Sequence, residues 1–220
     1  MPQRRNGITK PLFAITDIGS EAENNAHRQS NDASFMKTRV TETPLSGILI
    51  VDIDHFQDER GFFIESWSKR DFTAAGINAD FVQDSHSASR RGVVRGLHYQ
   101  DMRAPTAKLV RCTVGQIWDV AVDLRSGSPT FGKAFSMELN AEKKSLLWIP
   151  IGFAHGFATI SDYCEVQYKQ TDFYNPETEG GIAWNDPEIA IQWPFQSPIL
   201  SQRDQRQMSF AEYRKNPAFL

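Results

Sequence analysis

From Gly47 onward, the sequence is a succession of short runs rich in β-branched, aromatic and aliphatic residues. Turn signals such as DERG, SGSPT, IPIG and NPETEGG separate these runs. Many short strands with little helix limit the possible folds to a sandwich or a closed jelly-roll barrel. In the middle of the chain a helical pattern is convincing only at 69–77, and the polar segment after Leu200 is a second candidate for partial helix. The predicted strands are 48–53, 62–67, 108–115, 117–124, 134–139, 145–150, 155–160 and 164–170.

The N-terminal segment has a different character. Residues 1–40 include the polar, aperiodic run GSEAENNAHRQSND, so we expect a disordered tail before a domain over residues 41–220. A start of translation at Met36 is an open alternative. Arg4 and Arg5 precede no apolar core of a signal peptide, and no run of apolar residues is long enough to cross a membrane. We therefore expect neither secretion nor a membrane partner.

Composition and charge exclude several classes of function. A chain of 220 residues with 15 phenylalanines can fill the core of one all-β domain. Its formal net charge of −3 argues against general affinity for nucleic acid. Cys112 and Cys164 lie in strand-like runs, and their spacing fits neither a zinc site nor a disulfide framework. We interpret them as buried apolar residues of a protein in a reducing compartment, the cytoplasm.

The stretch 92–125 contains the most informative candidate residues. It places His98 among glycines and cations, and Lys108 follows ten residues later. If the residues around His98 are extended, alternation puts His98 and Gln100 on one face; in the predicted strand 164–170 it turns Tyr168 toward the interior. If these faces meet, the barrel interior holds a base and a phenol. A strand histidine taken by itself is more often a core residue, and that interpretation stays open here.

Nine short sequence motifs follow one another between about residues 45 and 205. They are DERGFFIESW, FVQDSHS, VVRGLHYQ, AKLVRC, WDVAVDLRSGSPTFG, IPIGFAHGFATISD, YKQTDFY, GIAWNDPEIAIQWP and LSQRD. In these motifs and their order, the chain resembles the dTDP-4-dehydrorhamnose 3,5-epimerases, which are nucleotide-sugar epimerases of the cupin class. The resemblance implies an all-β, cupin-type jelly-roll barrel with a few short helices. It also implies a homodimer that shares strands between subunits, and a reaction without cofactor or metal.

The resemblance assigns roles to matching positions. It implies that His98 is the general base, that Tyr168 is the general acid, and that Asp204 orients the histidine. The residues implied to bind the nucleotide-sugar are Arg60, Glu65, Gln83, Asp84, Ser85, Arg95, Lys108 and His155, with looser matches at Glu179 and Arg203. Three positions depart from the expected pattern. Ser85 stands where asparagine is expected, Arg203 where lysine is expected, and Trp67 where tyrosine is expected.

The implied reaction converts dTDP-4-keto-6-deoxy-D-glucose to dTDP-4-keto-L-rhamnose, in the biosynthesis of dTDP-L-rhamnose. The ketone at C4 acidifies the hydrogens on C3 and C5, and a histidine can remove such a proton at neutral pH. Lys108 is the candidate to stabilise the enolate oxygen, and Tyr168 can return a proton on the opposite face. Arginine forks suit diphosphate oxygens, which gives Arg60 and Arg95 a role.

Several alternatives remain open from the sequence. Arg60 could be a turn residue held by Asp58, and His155 could be a core residue.

The function of the whole protein has alternatives too. A metal-dependent cupin would need converging histidines, for which His86, His98 and His155 are available. Metal analysis of the protein would separate a metal-dependent cupin from a metal-free epimerase. A non-catalytic sugar-binding module is disfavoured because both His98 and Tyr168 are present. A related epimerase could invert one centre only, or act on another 4-keto sugar.

Overall fold

The computed structural model of the protein describes residues 37–220, so residues 1–36 of the predicted tail lie outside the described residues. Two short α-helices, α1 (Lys69–Ala74) and α2 (Phe210–Tyr213), and a 3-10 helix (Asp204–Arg206) accompany the strands. No helix within 37–220 is long and apolar enough to cross a membrane. The strands of this region are β1 (Thr38–Glu42), β2 (Leu49–Ile53), β3 (Phe56–Asp58), β4 (Gly61–Phe63), β5 (Gln83–Arg90), β6 (Val94–Gln100), β7 (Lys108–Val114), β8 (Gln116–Asp123), β9 (Ala134–Asn140), β10 (Leu146–Ile149), β11 (Phe153–Thr159), β12 (Tyr163–Gln170) and β13 (Glu179–Gly181).

The strands form two main antiparallel sheets. A six-stranded sheet has the order β1-β2-β10-β7-β12-β5, and a five-stranded sheet has the order β13-β6-β11-β8-β9. Strands β3 and β4 pair only with each other, as a separate hairpin. The prediction of a cupin-type jelly-roll barrel is confirmed, because sequentially distant strands become neighbours in both sheets.

The two sheets enclose an apolar core, and each outer face is covered as well. The cluster between the sheets takes Val110, Cys112 and Val166 from one sheet and Ile117 and Phe157 from the other. A second cluster packs the C-terminal segment on the outer face of the five-stranded sheet, and a third packs α1 on the six-stranded sheet. Cys164 joins the inner cluster, and both cysteines are buried and free, as predicted.

Most predicted strands are confirmed to within two residues, and the exceptions have physical causes. Strand β1 starts at Thr38 and pairs with β2, so the ordered domain begins earlier than residue 41. The predicted strand 62–67 is wrong beyond Phe63, since pairing with β3 ends there. Five strands, the polar β5 among them, have no counterpart among the predicted runs: β1, β3, β5, β6 and β13. Helix α1 falls inside the predicted 69–77.

A bulge between β6 and β11 sets which residues of β6 face the interior. His98 lies opposite His155, but Arg95 lies opposite Phe157, so β6 carries one extra residue between the two pairs. Gly96 occupies this point with φ of 125°. A Cβ atom there would lie 2.5 Å from the Gly156 Cα, closer than real contacts allow. The bulge therefore needs glycine, and it brings Arg95 to the same side as His98.

We predict that Gly96→Ala destabilises the fold by about 3 kcal/mol, because backbone strain and overlap with the neighbouring strand add together. Gly92→Ala is the matched control. Gly92 also has a positive φ, 83°, but nothing lies within 4 Å of its would-be Cβ, so that variant should lose only about 1 kcal/mol. Urea unfolding followed by circular dichroism measures both. Equal losses would contradict the role assigned to the close strand contact.

Candidate active site

Part of the space between the two sheets is a cavity rather than apolar core. Its volume is about 570 Å³, which is the size of a small-molecule site. Both sheets and the segment 199–204 contribute to its wall. The ionisable and hydroxyl-bearing residues that line it are Ser87, Arg95, His98, Lys108, His155, Tyr168, Tyr174, Glu179, Ser201, Arg203 and Asp204.

His98 projects from β6 and is held by a carboxylate of the C-terminal segment. Its Nε2 lies 2.5 Å from Oδ1 of Asp204, which is only 4% exposed. Burial raises the pKa of Asp204, but hydrogen bonds from His98 and Ser201 and the nearby charge of His98 outweigh it, and the pKa lies below its ordinary value. An ionised carboxylate can only accept. Nε2 therefore carries the proton, and Nδ1 is left as the basic atom.

Tyr168 and Lys108 come from the opposite sheet. Tyr168 lies on β12 directly beside Val110 of β7, two residues from Lys108. The Lys108 Nζ is 5.8 Å from the centre of the Tyr168 ring. Burial lowers the pKa of Lys108 to about 8, although the charges of Glu179 and Asp119 oppose that effect. The lysine is thus a partly desolvated cation placed beside a phenol.

A second histidine–carboxylate pair lies in the same wall. Nε2 of His155 lies 3.1 Å and 3.0 Å from the two carboxylate oxygens of Asp119. Asp119 has no exposed surface and sits on β8. The sequence prediction included His155 but missed Asp119. The available signal was a charged residue at an inward position of the otherwise apolar run IWDVAV, where ionisable side chains are rare unless paired.

Charged pairs also shape the mouth of the cavity. Both terminal nitrogens of Arg203 donate to the Glu179 carboxylate, each at 2.5 Å. The Tyr174 hydroxyl donates to Glu179 as well, at 2.7 Å. On another side, Arg95 donates from Nε to the Ser89 hydroxyl at 2.9 Å. Both guanidinium groups are therefore held in place by neutral or acidic partners at the cavity wall.

Five predicted binding residues are not part of this lining within residues 37–220. They are Arg60, Glu65, Gln83, Asp84 and Ser85. The structure thus brings eight of the thirteen predicted site residues together, and the roles of all thirteen stay predictions.

Two of the five lie on or just after the β3–β4 hairpin. Arg60 is at its exposed turn, where the Asp58 carboxylate accepts from its backbone N–H at 2.9 Å and from Nε at 3.0 Å. This matches the alternative in which Arg60 is a turn residue held by Asp58. Glu65 follows the hairpin, two residues after β4 ends. The local geometry explains the position of Arg60 but does not bring it to the cavity.

The other three begin β5. Asp84 is exposed and accepts from Lys169 Nζ at 2.9 Å, at a separate pocket of about 160 Å³. Gln83 accepts from the backbone N–H of Tyr174 at 3.1 Å. Its amide also donates to the Ser85 hydroxyl at 3.3 Å. Gln83 therefore supports the loop that carries Tyr174 at the cavity mouth.

The three histidines proposed for a metal cupin do not converge. His98 and His155 face the cavity, whereas His86 lines the separate pocket and pairs with Glu165 at 2.9 Å. Within residues 37–220, no group of three His, Cys, Asp or Glu side chains has the arrangement of a metal site. The arrangement present is one of acid–base pairs and cations.

Comparison with known proteins gives a consistent result. The family sequence model described as dTDP-4-dehydrorhamnose 3,5-epimerase matches residues 42–212. The enzyme of that description from Pseudomonas aeruginosa is 51% identical over 176 residues, 79% of this chain and 97% of the relative. A 3,5-epimerase from Legionella pneumophila, solved with dTDP-4-keto-L-rhamnose, is 43% identical with a TM-score of 0.75, covering 78% and 92% of the two chains. A dTDP-4-dehydrorhamnose 3-epimerase from Streptomyces niveus is 37% identical over 177 residues, 80% and 86% of the two chains.

We predict that the Lys108 ammonium titrates near pH 8. Its folded pKa of about 8 lies below the ordinary 10.5, so its protonation opposes folding at neutral pH. That penalty disappears as the pH rises from about 8 toward 10.5, and stability increases over this window. The cavity loses a positive charge as the pH passes through 8. An NMR titration of lysine Nζ signals, with Lys108→Met for assignment, measures this; a Lys108 midpoint in the ordinary lysine range would contradict it.

Proposed function

This chain belongs to the dTDP-4-dehydrorhamnose 3,5-epimerase family, and from that premise we propose which of its residues carry the reaction. The protein is an isomerase that inverts C3 and C5 of dTDP-4-keto-6-deoxy-D-glucose to give dTDP-4-keto-L-rhamnose. One observation supports the assignment of residues. His98, already paired with a buried carboxylate, and Tyr168 come from opposite sheets to line one cavity that also contains three cationic side chains.

His98 is the proposed base for both carbons. The C4 ketone makes the hydrogens on C3 and C5 acidic, and Nδ1 of His98 is the free basic atom once Nε2 is bound by Asp204. Proton removal leaves an enolate on the sugar and an imidazolium on the enzyme. Asp204 stabilises that imidazolium because the two charges then form a hydrogen-bonded ion pair. The base is therefore oriented and charge-compensated by the same contact.

The enolate oxygen needs positive hydrogen-bond donors, and Lys108 is the proposed donor. Its partial burial removes competing water, which strengthens its interaction with a developing negative charge. Tyr168 returns a proton to the carbon from the side opposite His98, because the two residues project from facing sheets. The phenolate is then reprotonated, and the imidazolium of His98 loses its proton to solvent. These steps are balanced without oxidation, reduction or a cofactor.

Arg95 and Arg203 are the proposed partners of the diphosphate. Each keeps N–H groups beyond those used in its protein contacts, since a guanidinium has five donors. Arg203 shares Glu179 with Tyr174, so a diphosphate at this guanidinium would use the N–H groups that Glu179 leaves free. His155 completes the proposed binding set as a hydrogen-bonding group in the wall beside His98.

A second candidate function is inversion of one carbon only, because the Streptomyces niveus relative is described as a 3-epimerase. Hydrogen exchange distinguishes the two. When dTDP-4-keto-6-deoxy-D-glucose is incubated in deuterated water, a 3,5-epimerase labels both C3 and C5 of the product. A 3-epimerase labels C3 alone.

We propose that the protein acts as a homodimer, with the β3–β4 hairpin as a contact between subunits. Phe56, Phe62 and Phe63 are 52%, 60% and 63% exposed on this hairpin, and large apolar groups in contact with water favour association. Arg60 and Glu65 lie on or beside the same hairpin, away from their own chain's cavity. Placing the hairpin at the cavity of a second copy would give both residues a substrate-binding position. A nucleotide-sugar substrate and two free cysteines support a location in the cytoplasm.

We predict that Phe62→Ser combined with Phe63→Ser weakens this dimer, because the exposed apolar surface is removed while the barrel core is untouched. Light scattering during size-exclusion chromatography measures the mass as a function of concentration. Val114→Ser is the control, since Val114 is 41% exposed on the end of β7 rather than on the hairpin. A wild-type protein that is monomeric at all concentrations would contradict the proposed dimer. A dimer unaffected by the double substitution would place the contact elsewhere.

We predict that Tyr168→Phe separates proton removal from inversion. The ring and its packing remain, while the proton donor is lost, so product inversion should fall by about 10²–10⁴-fold, the usual contribution of a general acid. Because His98 and Lys108 remain, the substrate should still exchange hydrogen with solvent. His98→Ala is the matched comparison and should abolish exchange and inversion together. Mass spectrometry of deuterium uptake and the rate of product formation report the two steps.

Two outcomes would contradict this assignment. Inversion by Tyr168→Phe at the wild-type rate would remove the phenol from the mechanism. Deuterium uptake by a folded His98→Ala protein would remove the histidine. Loss of exchange together with inversion in Tyr168→Phe would instead assign the tyrosine to substrate positioning.

A further inference from the structure

The cavity contains two histidine–carboxylate pairs on neighbouring strands. His98 and His155 are direct partners in the β6–β11 pairing, and each uses Nε2 to contact a carboxylate. The two carboxylates come from different elements: Asp204 from the C-terminal segment and Asp119 from β8. Opposite residues of antiparallel strands have Cα atoms about 4.5–5.5 Å apart. The two imidazoles are therefore neighbours in one wall, and of the two only His98 takes part in the proposed proton transfer.

We propose that Asp119 is a positioning residue for the inversion at C3. It holds His155 so that Nδ1 accepts a hydrogen bond from the sugar hydroxyl on the carbon that His98 deprotonates. This inference rests on the proposed function, since it uses the same substrate and the same base.

The argument begins with the tautomer of His155. Both oxygens of Asp119 lie within hydrogen-bond distance of the same ring nitrogen, 3.1 Å and 3.0 Å from Nε2. A carboxylate accepts and does not donate, so the proton of neutral His155 is on Nε2 and the lone pair is on Nδ1. A buried carboxylate with no exposed surface also has little freedom to move. Asp119 thus fixes both the ring orientation and the hydrogen-bonding character of the remaining nitrogen.

The neighbouring position of the two rings then distinguishes the two carbons of the substrate. When His98 removes the proton from C3, the group beside that proton is the hydroxyl on C3, and a neutral Nδ1 can accept from it. When His98 removes the proton from C5, the corresponding substituent is the methyl carbon, which donates no hydrogen bond. Asp119 should therefore matter for the C3 step and much less for the C5 step.

The charge of Asp119 acts on Lys108 as well as on His155. A loss of activity in an Asp119 variant could therefore come through the lysine instead of the histidine, and the experiment must separate these two effects. The charged and titratable groups that share the cavity wall with Lys108 are Arg95, His98, His155, Tyr168, Tyr174, Glu179, Arg203 and Asp204. A double-substitution cycle distinguishes the two routes, because residues that act through one contact give non-additive losses.

The test compares Asp119→Asn, His155→Gln and the double variant. Asparagine keeps the size of the side chain but can donate to Nε2, which reverses the tautomer of His155. We expect C3 inversion by Asp119→Asn to fall about 10- to 100-fold, the usual effect of losing a hydrogen bond to a charged group. Deuterium exchange at C5 should stay near the wild-type level. The double variant should lose no more C3 inversion than His155→Gln alone.

Asp186→Asn is the matched control. Asp186 is also a buried aspartate, 4% exposed, but it accepts from the backbone N–H groups of Glu188 and Phe210 away from the cavity. It should lose stability and keep the ratio of C3 to C5 labelling. Binding of dTDP to each variant, by calorimetry, reports whether the diphosphate site remains intact.

Three results would overturn the inference. They are equal losses at C3 and C5 in Asp119→Asn, unchanged C3 inversion, and an additive loss in the double variant, which would indicate action through Lys108. Should Asp119→Asn fail to fold, His155→Gln carries the test alone, and wild-type C3 inversion in that variant overturns the inference. A wild-type protein without exchange at either carbon would instead refute the proposed function itself.

Discussion

The interior of this barrel must hold ionised groups, and the rest of the structure depends on how they are compensated. An ion moved out of water without a partner costs several kcal/mol even after the protein relaxes. Asp204 and Asp119 are 4% and 0% exposed, and each is hydrogen-bonded to a histidine. Glu179 is bound by Arg203 and Tyr174. Pairing makes these charges tolerable, and it also fixes the orientation of the groups that face the substrate.

The most consequential of these contacts joins the barrel to the C-terminal segment. Asp204 lies in a 3-10 helix more than a hundred residues after His98, so its position depends on the packing of everything around it. Tyr213 helps to secure the segment, because its buried hydroxyl donates to the Leu124 carbonyl at 2.9 Å. Phe210 and Phe219 pack in the same outer cluster. The apolar cover on the five-stranded sheet therefore stabilises the fold and also positions the carboxylate that is hydrogen-bonded to His98.

Alternation in the sequence predicts much of this fold, and its failures are informative. It predicts the inward direction of Tyr168 and the strands that form the core, because their apolar faces have period two. It misses β5, whose inward residues include Ser85, Ser87 and Ser89, since small polar side chains give no hydrophobic signal. It also places Arg95 on the face opposite His98, and the bulge at Gly96 reverses that. A local register shift of this kind arises from pairing with β11 and is invisible in one strand alone.

The position of Arg60 and Glu65 is beyond sequence reasoning for a different reason. Motif words report that residues belong to one site, but they do not report which copy of the chain supplies them. Both residues lie outside the cavity of their own chain, so the motif alone does not say whether they act in binding or only in the local turn. The proposed dimer would give them a binding role, because it would place the exposed phenylalanines of the hairpin and these two residues against a second copy.

The two polar departures from the family pattern affect contacts of different kinds. Arg203 binds Glu179 through two nitrogens, and three N–H groups of the fork remain for other acceptors. A lysine at this position would supply a single ammonium with no fixed direction. The arginine therefore makes the mouth more rigid and keeps directed donors, which the proposed binding of a diphosphate would use. Ser85 instead lies outside the cavity lining, between the amides of Gln83 and Gln170 at 3.3 Å and 3.5 Å. Ser85 is also the direct partner of Tyr168 in the β5–β12 pairing, and the charge of Arg203 acts on Lys108. Both departures therefore lie beside residues proposed for proton transfer and enolate stabilisation, although neither replaces one of them.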